Sequence, residues 1–308
     1  MGSPTGRAWR DKVSGDSPLG KRSPGEGASG RAREGAVSVT VGIDLGASLA
    51  KLAIRREDGE RELRLLPSEN EAELLRMVEE LEPERVGLTG AGAAGLAQRL
   101  GGEPVVVNEF AAWGRGAQQL MRHQERSTHD AFLLVSVGTG TSAMLCGGGS
   151  VNRLGGTALG GGTVLGLGAL LVGERDFAGL TELAQRGDRR KVDLLVGDIY
   201  RPGEIPLIGD ATAAAFGKRR TREQTPAPED LAHAIMGLVG ENVALLCAAL
   251  AGGAQVKRIV YGGTTLRANE PLRAILLGTT AAFGREPIHL EDGEFAGALG
   301  ALALVREG

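Results

Sequence analysis

The chain has 308 residues, enough for one large domain or two of ordinary size. Its hydrophobic fraction of 42% and charged fraction of 24% have the balance of a soluble globular protein. A net charge of -3 gives no whole-chain pull towards polyanions, and 3% aromatics leave too few rings for a base-stacking platform, so nucleic acid is not an expected partner.

Residues 1–36 are rich in Gly, Ser, Pro and Arg and hold almost no large apolar side chains. Such a segment cannot bury enough surface to offset its ordering entropy, so we expect it to be disordered. A basic tail touching nucleic acid or anionic lipid is the functional alternative, and a misassigned start is another. No apolar run marks a secretory signal there, so the expected compartment is the cytoplasm. Folded chain is expected from Val37. VSVTVGID (37–44) alternates as a strand, and KLAIRRE and RELRLLP follow as two more, joined at Asp58-Gly59. Helical spacing covers Asn70 to Leu81. Then come a strand (85–88), a short helix (93–100), a strand (104–107) and a helix (109–121).

The second half restarts this plan. Ala131 to Val137 reads as a strand, Gly138 to Ser142 as a loop leading into SAMLC, and Gly147 to Gly149 as a turn. Helices are expected over 163–172, 176–186, 189–199 and 230–251. A strand (257–261) ends at Gly262-Gly263-Thr264-Thr265, and a helix (271–283), a short strand (287–289) and a closing helix (293–305) complete the chain. Each half opens with a strand–glycine loop–strand unit, so internal structural duplication is the simplest account. The longest apolar stretch, 231–251, contains His233, Glu241 and Asn242 and reads as a core helix, not a membrane span.

Gly makes up 50 of the 308 residues, more than twice its usual share, and gathers at strand–loop–helix junctions. Such junctions bring backbone N–H groups close to an anion. In the first loop, Asp44 can organise Mg²⁺ through water, Gly46, Ala47 and Ser48 can offer N–H groups to phosphate, and Lys51 adds a cation. In the second, Gly138, Thr139, Gly140, Thr141 and Ser142 suit phosphate or a polar substrate. A third cluster, Gly160 to Gly162, opens an apparent helix. Taken singly, the first two are ordinary hairpin turns; their recurrence at equivalent places makes them a pair. Glu109 at a helix start is explained alone as a dipole partner, and Arg153 as a surface charge. Together they give a base for a hydroxyl and a cation for a transferring phosphoryl group.

No GxxxxGK[ST] loop is present, and the Gly160 cluster lacks the context of a dinucleotide fingerprint. The four histidines form no metal spacing. Cys146 and Cys247 lie in apolar surroundings and read as buried, inert thiols.

These residues together resemble a type II pantothenate kinase, a family of the actin-like ATPase superfamily that also contains sugar kinases, Hsp70 and actin. The resemblance runs from Val37 to Leu304. VGIDLGASLAK (41–51) resembles the first phosphate motif and SVGTGTS (136–142) the second. RLGGTALGGGTVLGLGALL (153–171) resembles the stretch with the substrate arginine and a nucleotide loop. LAQRGDRRKVDLLVGDIY and GDATAAAFGK resemble the helical region that follows, YGGTTLRAN the adenosine motif, and EDGEFAGALGAL the C-terminal helix.

The resemblance implies an α/β, duplicated actin-like (ribonuclease H-like) fold, with lobes over 37–128 and 129–308 around a nucleotide cleft. It implies ATP-dependent phosphorylation of pantothenate on its 4′-hydroxyl, the first step of coenzyme A biosynthesis, with Mg²⁺, in a cytoplasmic homodimer. Glu109 matches the catalytic base, Arg153 the arginine that binds substrate and supports the transition state, and Asp44 the Mg²⁺-organising aspartate. Gly46, Ser48, Lys51, Thr139, Gly161, Gly162, Thr163, Val164, Leu165 and Thr264 match nucleotide contacts. Phe177 stands where a tyrosine is sometimes found, and Ser142 is a substrate contact. Ala47-Ser48 replaces the usual Gly-Thr. Two other readings stay open: another small-metabolite kinase of the superfamily, of the N-acetylglucosamine type, and an ATP-binding regulatory protein without phosphotransfer.

Overall fold

The computed structural model describes residues 38–201, 203–204, 210–220 and 225–307. The segment expected to be disordered, 1–36, lies outside them. β1 (Val39–Leu45) is buried along its whole length and runs antiparallel to β2 (Leu49–Arg56), which pairs in turn with β3 (Arg61–Pro67). The β2–β3 turn forms at Asp58-Gly59, where Gly59 has φ +89° and the Asp58 carboxylate accepts from the Glu60 N–H at 2.9 Å. α1 (Glu71–Leu81), β4 (Arg85–Thr89), α2 (Ala93–Ala97) and β5 (Val105–Val106) follow. β4 and β5 are parallel to β1, giving the order β3-β2-β1-β4-β5. α3 (Glu109–His123) begins at Asn108, whose side chain accepts from the Ala111 N–H at 3.1 Å.

The second half repeats the scheme. β6 (Phe132–Val137), β7 (Thr141–Gly147) and β8 (Ser150–Thr157) form an antiparallel meander. After it come α4 (Gly161–Leu171), α5 (Phe177–Arg186), a small pair β9 (Leu194–Leu195) and β10 (Thr212–Ala214), α6 (Pro228–Gly253), β11 (Arg258–Gly262), α7 (Glu270–Ala282), β12 (Glu286–His289) and α8 (Ala296–Glu307). The second large sheet has the order β12-β11-β6-β7-β8, with β11 and β12 parallel to β6. Counted from the first strand of each meander, the two five-stranded sheets share one order. This is the duplication suggested by the recurring glycine loops.

α6 is the core helix of the second half: Ile235, Met236, Val239, Val243, Ala244 and Cys247 are buried with Leu133, Val135 and Tyr261 of the sheet. It is the one described helix long and apolar enough to cross a membrane, and 61% of its apolar window is inside the protein. α8 leaves the second sheet and packs on the first. It crosses β1 and β4 at Gly42 and Gly87, where a Cβ would run into the backbone at Ala298 and Ala301.

Arg153 sits within β8, a segment to which the sequence reading assigns no element. One expected helix does not form. The segment 189–199 is not a helix. It holds one 3-10 turn (Arg189–Lys191), then β9, then a second 3-10 turn (Val196–Asp198), and GDATAAAFGK likewise yields β10 and a 3-10 turn. Tertiary contacts override the helical pattern. Asp193 is fully buried, and its carboxylate accepts from the Phe216 N–H at 2.8 Å and from Arg189 at 3.3 Å. Arg189 in turn reaches Glu241 on α6 at 2.6 Å.

Candidate active site

β1 delivers Asp44 to its C-terminal end, directly across from Lys51 on β2. The two side chains meet at 3.6 Å (Nζ to Oδ2). Asp44 is only 3% exposed. Burial is the largest influence on its carboxyl and pushes the pKa up; the Lys51 charge pulls it down, and the Glu109 charge pushes it up again. Backbone closes on this carboxylate from two sides. A Cβ at Gly90 would lie 2.6 Å from Oδ1, and one at Gly297 2.6 Å from Oδ2.

The β6–β7 turn holds Gly138 to Gly140, closed by a Gly138 N–H to Gly140 carbonyl bond of 2.8 Å. α4 props this turn up: the Gly161 N–H donates to the Gly138 carbonyl at 2.8 Å and the Gly162 N–H to the Thr139 carbonyl at 3.0 Å. The Thr265 hydroxyl adds a third bond to the Gly138 carbonyl at 2.8 Å. The start of α4 therefore spends its first two amides on the loop, not on an anion. Gly46 is likewise committed, donating to the Leu49 carbonyl at 3.1 Å. Among the described residues, the N–H groups of Ala47, Ser48, Thr139 and Gly140 make no internal hydrogen bond, which leaves them to receive phosphate. The two loops touch each other through Ser48 Oγ and Thr139 Oγ1, 3.2 Å apart.

A cavity of about 410 Å³ lies between the loops. It gathers Asp44, Gly46, Ala47, Ser48 and Lys51 from the first sheet, Gly138 to Ser142 from the second, Glu109 from α3, Arg153 from β8, and Thr264. The helix start and the edge strand thus bring Glu109 and Arg153 to one chamber. A larger cavity of about 800 Å³ adjoins it, sharing Ser48, Leu49, Gly138, Thr139 and Thr264, and is lined by Gly161, Gly162, Leu165 and Phe177. Thr163 and Val164 line neither cavity. The Thr163 hydroxyl donates to the Ala158 carbonyl at 3.1 Å, and Val164 is fully buried. Thr141 lines the smaller cavity, but its hydroxyl is spent on the Leu159 carbonyl at 2.8 Å.

The profile of the Fumble family matches residues 103–304. A type II pantothenate kinase of Staphylococcus epidermidis is 36% identical over 266 residues, covering 86% of this chain and 99% of that one. The chain belongs to the type II pantothenate kinase family. Solved structures extend the likeness at the level of fold. Component A of the (R)-2-hydroxyglutaryl-CoA dehydratase of Acidaminococcus fermentans superposes with a TM-score of 0.58 at 18% identity, over 88% of this chain and 98% of that one. A ROK family glucokinase from Streptomyces griseus, solved with glucose and AMPPNP, gives 0.57 at 15% identity, over 88% and 100%. The fold is that of the actin-like ATPases.

The departure from the usual type II pantothenate kinase motif, Ala47-Ser48, is accommodated locally. Ala47 does not take a left-handed backbone, so the loop does not need glycine there, and Ser48 keeps the hydroxyl. The Mg²⁺ that a kinase of this family implies fits Asp44. Among the described residues no group of three or more His, Cys, Asp or Glu forms an all-protein cage. Mg²⁺ needs none, because it keeps most of its water and takes the rest of its ligands from phosphate. Sequence reasoning missed Gly90, Trp113, Thr265 and Gly297. Trp113 alone had a local signal, since it stands four residues after Glu109 and so shares its helix face.

Proposed function

We infer that the protein transfers the γ-phosphoryl group of ATP to the 4′-hydroxyl of pantothenate. The observation that carries this reading is the convergence of Glu109 and Arg153 on the chamber whose rim bears the unpaired amides of both glycine loops. ATP fits with its phosphates along Ala47-Ser48 and Thr139-Gly140 and its nucleoside in the larger cavity beside Phe177. Asp44 would hold Mg²⁺ through water, and the ion when bound would supply charge neutralisation to the phosphates.

Phosphoryl transfer leaves a protein mostly the tasks of positioning and charge stabilisation. Glu109 accepts a hydrogen bond from the alcohol, aligns it, and takes its proton late, as the new P–O bond forms; a carboxylate is too weak a base to ionise an alcohol beforehand. Arg153 holds the substrate and stabilises the charge spread over the transferring group. Lys51 stays beside Asp44, and its charge draws that carboxyl's pKa down against the stronger upward push of burial.

We propose further that the lobes divide at residues 128/129, in the connection between α3 and β6, and that the enzyme is a cytoplasmic homodimer. Sedimentation of the purified protein tests the dimer. The reaction is tested with Glu109→Gln, which keeps shape and removes the base. Turnover of pantothenate should fall by about 10²–10⁴-fold with ATP binding nearly intact. Retained turnover removes Glu109 from the mechanism. Arg153→Ala should weaken both pantothenate binding and turnover; unchanged pantothenate kinetics would show that Arg153 has another role.

A further inference from the structure

Trp113 is only 5% exposed and packs with Phe132, Leu134, Cys146 and Leu299 in the hydrophobic core, yet it also lines the chamber of Asp44, Glu109 and Arg153. Met144, 1% exposed on β7, belongs to the same core and lines the same chamber. The floor of the chamber thus includes an edge of the apolar core, beside the polar side chains of Ser142, Arg153 and Thr157.

The position of Trp113 follows from the helix. It stands four residues after Glu109 on α3, and helical side chains lean back towards the N-terminus, so the indole lies beneath the Glu109 turn. Its other flank is fixed by α8. A Cβ at Gly297 would lie 3.0 Å from Trp113 Nε1 and 2.6 Å from Asp44 Oδ2, so the indole edge and the Asp44 carboxylate flank the same glycine. The ring thus spans the floor between the residue that receives the acceptor hydroxyl and the one that organises the phosphates.

We propose that Trp113, backed by Met144, is a specificity-determining residue that selects an alcohol whose carbinol carbon is attached to a branched, apolar carbon. This rests on the kinase reading above. Pantothenate has that shape, since its CH₂OH group is joined to a carbon bearing two methyl groups. With the hydroxyl at Glu109, the adjoining carbon must sit against the neighbouring wall, and an apolar floor there rewards methyl groups with burial. A polyhydroxylated sugar would present hydroxyls to the indole carbons and the Met144 side chain, which cannot pair them.

The test compares pantothenate with its analogue lacking both methyl groups, using the intact enzyme with ATP and Mg²⁺. The wild type should prefer pantothenate by about 10–100-fold in kcat/KM, the range expected for small apolar groups in an apolar pocket. In Trp113→Leu that preference should shrink at least about fivefold, with KM for ATP unchanged. Met144→Leu, nearly volume-conserving, keeps the core filled and should shrink it less. If Trp113→Leu lowers kcat/KM equally for both alcohols, the indole is only structural and the proposal fails. A wild type that uses both alcohols equally well overturns the proposal with no variant needed, and leaves the kinase reading standing. A wild type that phosphorylates neither overturns both.

Discussion

Gly297 offers a sharp separation of stability from activity. It lies at the second position of α8, between Asp44 and Trp113. In Gly297→Ala the new methyl would start 2.6 Å from Asp44 Oδ2, 2.8 Å from its Cγ and 3.0 Å from Trp113 Nε1. Carbon and oxygen normally meet no closer than about 3.3 Å, so the carboxylate must retreat by roughly 0.7 Å. Two effects on stability oppose each other. Alanine improves helix propensity by about 1 kcal/mol, and overpacking costs about 1–3 kcal/mol. The net loss should be about 0–2 kcal/mol, and the protein should fold. Catalysis has no such compensation: a displacement approaching 1 Å of a positioned group lowers turnover by up to about 10²-fold. Denaturant unfolding and steady-state kinetics on one preparation give both quantities. Gly278→Ala on α7, where a Cβ meets nothing within 4 Å, is the control and should gain about 0.5–1 kcal/mol with activity unchanged. Full activity in Gly297→Ala would refute the claim that the Asp44 carboxylate has one fixed working position.

Asp44→Asn should lose turnover with ATP, Mg²⁺ and pantothenate, and in protein free of nucleotide and metal it should unfold at pH 7 no more easily than wild type. Burial raises the folded-state pKa of Asp44, so the stability it contributes is present below the ordinary carboxylate range and is lost as pH rises through the raised value. A wild type more stable than the variant at pH 7 contradicts that sign. Burial also pushes the thiols of Cys146 and Cys247 up to about 12. Neither should react with iodoacetamide at pH 8 in the folded protein, whereas both should on unfolding; rapid alkylation of the native chain would contradict the burial.

The elements that carry phosphate chemistry were legible because their signal is local. β-branched residues leading to Asp44-Leu45-Gly46, and the apolar run FLLVSV leading to Gly138-Thr139, specify strand and turn locally, and the paired loops imply the duplication. What was not legible is long-range. SVNRLGGT carries no strand signal, because an edge strand with polar Asn152 and Arg153 has no apolar alternation, and only pairing with β7 makes it a strand. Residues 189–199 have helix-like spacing, but the buried Asp193 needs the Phe216 amide, and no helix can supply that. The bracing of the β6–β7 turn by Gly161 and Gly162 is long-range in the same way. Their amides are consumed by loop carbonyls more than twenty residues upstream, a pairing no single segment displays. Trp113 shows only its place on the Glu109 face of α3, a spacing that a core residue shares equally, and the cavity is what distinguishes it.

In the proposed reaction one chamber brings an alcohol to the end of a triphosphate held by two glycine loops. Incubating the pure protein with ATP, Mg²⁺ and pantothenate and following both substrates by mass spectrometry tests it in one step. Pantothenate heavier by one phosphoryl group should form in step with ADP and be lost in Glu109→Gln. ADP formed without any phosphorylated pantothenate, or no ADP at all, would contradict it.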